Sequence, residues 1–186
     1  MTGLLLTAAG VMAIAAPGCP APLPDSAYAT RCTGLAVTLA HKDGRKTYRD
    51  CPRGARPTHP LAPRLKALVE RLRCALGDRV VITSGFRSRR HNLYSWAYVQ
   101  ARTPRANPVS RNSRHVVGKA VDFYVRGYAY GDLIRLETKL QQWAGRLPAP
   151  LRGSSKAIWT QVYRNSEGRD PDNLHPYPYL HLQLRD

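Results

Sequence analysis

The chain has 186 residues, 43% of them hydrophobic, and 29 Lys+Arg against 12 Asp+Glu give a formal net charge of +17. That length suits one globular domain with appendages, and past an apolar N-terminal run no segment approaches the roughly 20 apolar residues of a membrane helix. The charge attracts polyanions and makes such contacts salt-sensitive, but the basic residues are scattered and neither zinc-finger spacing nor a glycine-and-aromatic RNA signature occurs, so no specific nucleic-acid partner is expected.

The first residues, "MTGLLLTAAGVMAIAAPGC", read as a secretory signal ending near residue 22. The run from Leu4 to Ala16 is about the length of a signal's apolar region, and Ala13 and Ala15 offer a cleavage site, although no Lys or Arg precedes it. "APGC" leaves open a lipoprotein signal in which Cys19 is acylated. Export, to a periplasm, cell wall or extracellular space, agrees with four cysteines, at 19, 32, 51 and 74, none of them in CxxC spacing. A cysteine zinc site is therefore not expected.

Residues 23–60 read as a small disulfide-pinned extension. Cys32 and Cys51 bracket two strand-like runs around Lys42-Asp43-Gly44-Arg45, a hairpin turn, and a bridge across the hairpin's base is the first expectation. Cys74 points away from the apolar face of the following helix and is free to tether the N-terminal segment through Cys19. Four cysteines allow three pairings, and the sequence does not choose among them.

Residues 61–186 read as the main domain. Leu61, Leu65, Leu68, Leu72 and Leu76 recur at helical spacing, with Pro63 tolerable in the first turn and Gly77 placed to end the helix. "DRVVITSGFRS" follows as a buried strand ending in a glycine turn. A helix is expected over residues 89–102, with Leu93, Trp96 and Val99 or Gln100 on one side, and then a polar loop, "TPRANPVSRNS". Leu133, Leu136, Leu140, Trp143 and Leu147 mark another helix from about Asp132. "SSKAIWTQVYR" and "YLHLQLRD" read as strands around an irregular loop. This order is an α+β pattern.

In "AVDFYV", alternation puts Asp122 and Tyr124 on one face and Val121, Phe123 and Val125 on the other. In the last strand Tyr179, His181 and Gln183 share a face, opposite Leu180, Leu182 and Leu184. If the two strands pair, their aliphatic faces pack under helices and Asp122 stands beside His181. His115 lies just before the first strand, where Gly118 permits a sharp return and Ala120 leaves room above the sheet. Two imidazoles and one carboxylate are the protein ligands of a zinc site with an open fourth position. On the residues alone, a strand histidine is usually an ordinary half-buried polar side chain.

"SGFRS" at residues 84–88 with Asn92 beyond it, "SRHVVGKAVDF" at 113–123 and "YLHLQ" at 179–183 resemble the zinc D-alanyl-D-alanine peptidases, whose fold is shared with the Hedgehog signalling domain. Ser113, His115, Gly118, Ala120 and Asp122 meet every specified position of that family's S-x-H-x-x-G-x-A-x-D pattern, and the likeness runs from about residue 80 to the C-terminus. It implies an antiparallel sheet with helices on one side and a zinc cleft on the other. It also implies His115, Asp122 and His181 as zinc ligands, Arg87 stabilising the oxyanion as a peptide carbonyl is attacked, and Ser113 bonding the bound peptide.

The chain departs from the pattern where many members carry a carboxylate base three residues before the last zinc histidine, for here Pro178 stands. Some relatives have a histidine two residues before that ligand; here it is Tyr179. Glu167, Asp170, Asp172 and His175 lie nearby, and His175, with a pKa suited to a base near neutrality, is the expected substitute. The resemblance implies an exported monomeric peptidase acting on peptidoglycan stem peptides, held by its charge on anionic wall polymers. A zinc-containing, non-hydrolytic wall-binding protein of the same fold is the alternative that Pro178 admits.

Overall fold

A computed structural model describes residues 19–56, 59–103, 109–147, 158–164, 171 and 175–185. The apolar leader before residue 19 and the acidic candidates Glu167, Asp170 and Asp172 lie outside the described residues.

The hairpin forms as its turn chemistry requires. β1 (Ala36–His41) pairs antiparallel with β2 (Gly44–Arg49) from Ala36↔Arg49 to His41↔Gly44, turning on Lys42 and Asp43. Cys32 and Cys51 close its base as a disulfide, and Cys19 is bonded to Cys74. In this arrangement the Cys19 sulfur is bonded to Cys74 and carries no thioether. The two bridges fit an oxidising compartment, and no described helix is long and apolar enough to cross a membrane.

α1 (Pro63–Leu76) buries Leu65, Leu68, Val69 and Leu72, and α3 (Tyr130–Gly145) buries Leu133, Leu136, Leu140 and Ala144. Both pack against one face of a four-stranded sheet, built from β3 (Val80–Ser84), β4 (Ala120–Val125), β5 (Ile158–Tyr163) and β6 (Tyr179–Leu184). Its spatial order is β3-β4-β6-β5, and every neighbouring pair is antiparallel. Period-two alternation sends Val121, Phe123, Val125, Leu180, Leu182 and Leu184 into one core with the helices. The opposite face is left to polar and aromatic side chains.

α2 (Arg89–Arg102) has the expected bounds but a different inner face. It buries His91, Asn92, Tyr94, Ser95, Ala97 and Val99, while Leu93, Trp96 and Gln100 are half-buried. The reason is what the helix touches: it lies against the hairpin and the loop before β4, where backbone polar groups need partners. Asn92 Nδ2 donates to the carbonyls of Ser110 and Arg111, each at 3.0 Å. Trp96 is covered from outside by the edge of Tyr48, 5.7 Å between centroids, and by the Arg111 guanidinium 3.7 Å above its ring.

The N-terminal segment is built into the main body. Tyr28 is fully buried in the core cluster and its hydroxyl donates to Glu70 of α1. Asp50, at the end of the hairpin, accepts from the backbone and hydroxyl of Thr33 and from the backbone of Cys51, and pairs with His91 Nδ1 at 2.8 Å.

Burial pushes the Asp50 carboxyl up, but the hydrogen bonds from His91 and Thr33 outweigh it and bring its pKa from 3.8 down to about 2. A depressed carboxylate pKa contributes stability that is present above the unfolded value and lost as pH falls toward the folded one. Asp50→Asn should cost about 2 kcal/mol at pH 7, read by urea denaturation. The variant's stability should also fall less than the parent's between about pH 4 and pH 2; parallel acid profiles would refute the assignment.

Candidate metal centre and cleft

The β4–β6 register puts Asp122 directly opposite His181. His181 Nδ1 is 2.6 Å from Asp122 Oδ1, and His115 Nε2 is 3.5 Å from Asp122 Oδ2. The third residue arrives from a single helical turn, Arg114–Val117, before β4. Ser113 caps that turn by accepting from His115 N, and Gly118 ends it in the left-handed region with φ 66°. A Cβ at Gly118 would also lie 2.6 Å from the Pro60 carbonyl oxygen. Only glycine satisfies both the turn and that close approach.

Each imidazole is oriented from behind. His115 Nδ1 is 2.7 Å from the Gly85 carbonyl, and His181 Nε2 is 3.1 Å from Gln183 Oε1. An oxygen acceptor at each outer nitrogen can hold the N–H there and free the inner nitrogen for a metal, the arrangement of metal-ligating histidines; with no metal bound, the inner nitrogens share protons with Asp122 instead. One ligand atom from each of the three residues falls within 4.8 Å of the others. Tetrahedral zinc with bonds of about 2.1 Å sets ligand atoms about 3.4 Å apart, so this donor set fits a zinc ion in type, number and scale.

The electrostatics favour a cation. Burial raises the pKa of the Asp122 carboxyl, but the charges and hydrogen bonds of His115 and His181 hold it well below the usual range. Burial pushes His115 below the ordinary imidazole value against the pull of Asp122. Burial also acts downward on His181, but the Asp122 charge and its hydrogen bonds carry it above that value. Arg87 is 2% exposed, with Nη2 3.6 Å from Asp122 Oδ2 and Nε donating to Ser84 Oγ at 2.9 Å.

These side chains form the floor of a cavity of about 460 Å³. Ser113 lines it beside His115, and Trp159, Tyr163, Tyr179, Gln183 and Arg185 complete the wall on the β5–β6 side. The structure thus brings Arg87, Ser113, His115, Asp122 and His181 together. His175 is not among the residues lining the cavity; it packs beside it, its ring 4.8 Å from that of Tyr124 and 5.7 Å from that of the lining residue Tyr179. Burial lowers its pKa against a backbone hydrogen bond at Tyr177 and the charge of Asp122; a general base must reach the proton it takes, and that role stays an expectation for His175. Asp122 is the sole carboxylate among the described lining residues.

Sequence reading assigned no role to Gln183 or Asn92. Gln183 shares a strand face with His181, and that alternation could have marked it as the histidine's support. Asn92, marked by its place after SGFRS but given no role there, pins the loop at the cavity rim through its bonds to the Ser110 and Arg111 carbonyls. A second cluster, Cys32, Asp50, Cys51 and His91, also has ligand-type atoms in proximity, but its two sulfurs form one disulfide and supply no thiolate.

An α+β chain that gathers two imidazoles, a carboxylate and a buried guanidinium in one cleft has the architecture of a metal-site hydrolase. Residues 36–146 match the family described as Peptidase M15, well over half of the chain, and the chain belongs to that family. The match begins at the hairpin and includes Arg87, Ser113, His115 and Asp122; His181 lies beyond it and enters through the β4–β6 pairing. No protein of curated function matches, and no solved structure matches.

His181→Ala should abolish stoichiometric zinc binding, and Gln183→Ala should weaken it about 10-fold or more by releasing the imidazole; titration calorimetry reads both. Because His181 binds its proton above the ordinary value, parent zinc affinity should fall about 10-fold per unit once the pH drops below that raised pKa. Affinity unchanged down to pH 5 would exclude His181 as a ligand.

Proposed function

We propose that this peptidase is an exported zinc enzyme that hydrolyses D-Ala-D-Ala or a related amide bond in peptidoglycan stem peptides. The observation that carries the reading is the buried Asp122 carboxylate held between two imidazoles whose outer nitrogens face oxygen acceptors. His115 Nε2, Asp122 and His181 Nδ1 would hold the zinc. When bound, zinc supplies a Lewis acid for the peptide carbonyl and lowers the pKa of water to about 7.

The chain's own residues do the rest. Arg87 presents a fixed positive charge from a buried place beside Asp122, where a developing oxyanion is stabilised more strongly than in water. Ser113, on the cavity wall next to His115, hydrogen-bonds the peptide near the scissile amide. Tyr179 and Tyr163, with centroids 5.0 Å apart, and Trp159 give the cavity an aromatic side suited to the methyl groups of alanine residues. The +17 charge holds the enzyme on anionic wall polymers. The apolar leader serves as the export signal, and a cut ahead of Cys19, rather than near residue 22 as expected, leaves the bridge to Cys74 intact. Residues 23–60 act as a pinned extension and residues 61–186 as the catalytic body.

Incubating the purified protein with muropeptides, with and without chelator, should give a zinc-dependent product carrying a new carboxyl terminus, seen by mass spectrometry. Zinc bound at one equivalent with no product would replace the hydrolase by a non-hydrolytic wall-peptide binder of the same fold. Arg87→Ala should keep zinc and lose about 10²- to 10³-fold in kcat; turnover at the parent rate would remove Arg87 from the mechanism.

A further inference from the structure

Arg87 is held by residues that precede the family match. The segment around Tyr28–Thr30 runs alongside the SGFRS turn as a parallel bridge between Ala29 and Phe86: Thr30 N donates to Phe86 O at 2.8 Å, and Phe86 N donates to Tyr28 O at 2.9 Å. The approach is so close that a Cβ at Gly85 would sit 1.6 Å from the Tyr28 carbonyl oxygen. The glycine of the turn therefore makes room for the N-terminal segment.

Within this bridge Thr30 reaches inward. Its Oγ1 accepts from Gly85 N at 3.2 Å and shares a hydrogen bond with Ser84 Oγ at 2.9 Å. Ser84 Oγ in turn accepts from Arg87 Nε at 2.9 Å. Thr30, Ser84 and Arg87 are 3%, 0% and 2% exposed, so water does not compete for these bonds and each buried polar group depends on its neighbour. The same Gly85 residue whose N–H donates to Thr30 orients His115 through its carbonyl, 2.7 Å from Nδ1. One hydroxyl from the N-terminal segment thus touches both the guanidinium's support and the glycine behind a ligand-type histidine.

We infer that Thr30 is a positioning residue: acting through Ser84, it fixes the direction in which Arg87 presents its guanidinium to the cleft, so that residues outside the matched family region complete the active site. This deepens the proposed function and rests on the role given there to Arg87. It also gives the Cys32–Cys51 bridge a purpose at the site, since Cys32 lies two residues beyond Thr30 and anchors the segment to the hairpin.

The test compares Thr30→Val, which keeps the shape and removes the hydroxyl, with Thr30→Ser, which restores it. In the zinc-loaded full chain, Thr30→Val should lower kcat about 10-fold, part of the 10²- to 10³-fold lost when an oxyanion donor is removed, with KM and zinc stoichiometry unchanged. Thr30→Ser should recover the parent rate. Independently of turnover, the Arg87 Nε–Hε resonance, identified by its absence in Arg87→Lys, should be protected from solvent exchange in the parent and in Thr30→Ser, and lose that protection in Thr30→Val. A Thr30→Val protein with parent kcat and a protected resonance overturns the inference. Equal losses of zinc, resonance and activity in both variants overturn it too, by making Thr30 merely structural. If the parent hydrolyses nothing, the resonance still decides whether Thr30 holds Arg87, and the hydrolase reading fails separately.

Discussion

A carboxylate buried between two imidazoles is the constraint around which this molecule is arranged. Asp122 occupies a position in the middle of a sheet where an isolated charge is costly to bury. It is tolerated because His181 faces it across the β4–β6 pair, His115 comes down from the preceding turn, and Arg87 closes the third side. Each of these depends on strand register. A slip of one residue in β6 would turn His181 into the aliphatic core and Leu180 or Leu182 onto the cleft floor. The packing of α1 and α3 on the other face therefore acts on the site by strongly disfavouring that slip.

The cleft side is built on a different principle. The apolar core stops at the sheet, and the elements beyond it are joined by hydrogen bonds between buried polar groups: Asp50 with His91 and Thr33, Asn92 with the carbonyls of the loop before β4, and Thr30 with Ser84 and Gly85. Such bonds are directional, and a site that must present a guanidinium at a set angle gains more from direction than from burial alone. The two disulfides belong to the same half of the problem. They tie the N-terminal segment to the hairpin and to α1, limiting the freedom of a stretch with few apolar residues of its own.

Membership of Peptidase M15 and the geometry of the cleft support each other at different residues. The match ends at residue 146, so it covers the turn with His115 and the strand with Asp122, while β5 and β6 supply His181, Gln183 and the aromatic wall. Pro178 can transfer no proton, and Tyr179 beside it lines the cavity. The described lining thus carries Arg87, Arg114, Arg185 and an aromatic side, with Asp122 as its one carboxylate.

The elements with a strong apolar period are legible in the chain as written: α1 from its leucines, α3 from Leu133 to Leu147, and β4 and β6 from their alternation, which also predicts that Asp122 and His181 share a face. Local chemistry decides those features, because a helix or strand must turn its apolar residues to one side whatever it packs against. The inner face of α2 and the reach of Thr30 to the arginine's support are not legible in this way, whereas the tether of Cys19 to Cys74 belongs to one of three pairings that the sequence leaves open. Each is a contact between segments far apart in the chain, made by side chains whose partners carry no periodic signal. The sequence by itself thus determined which residues could meet at the candidate metal centre. Only the tertiary structure decided what holds them in place, since hydrogen-bond direction and close backbone approach exist only once the segments are packed together.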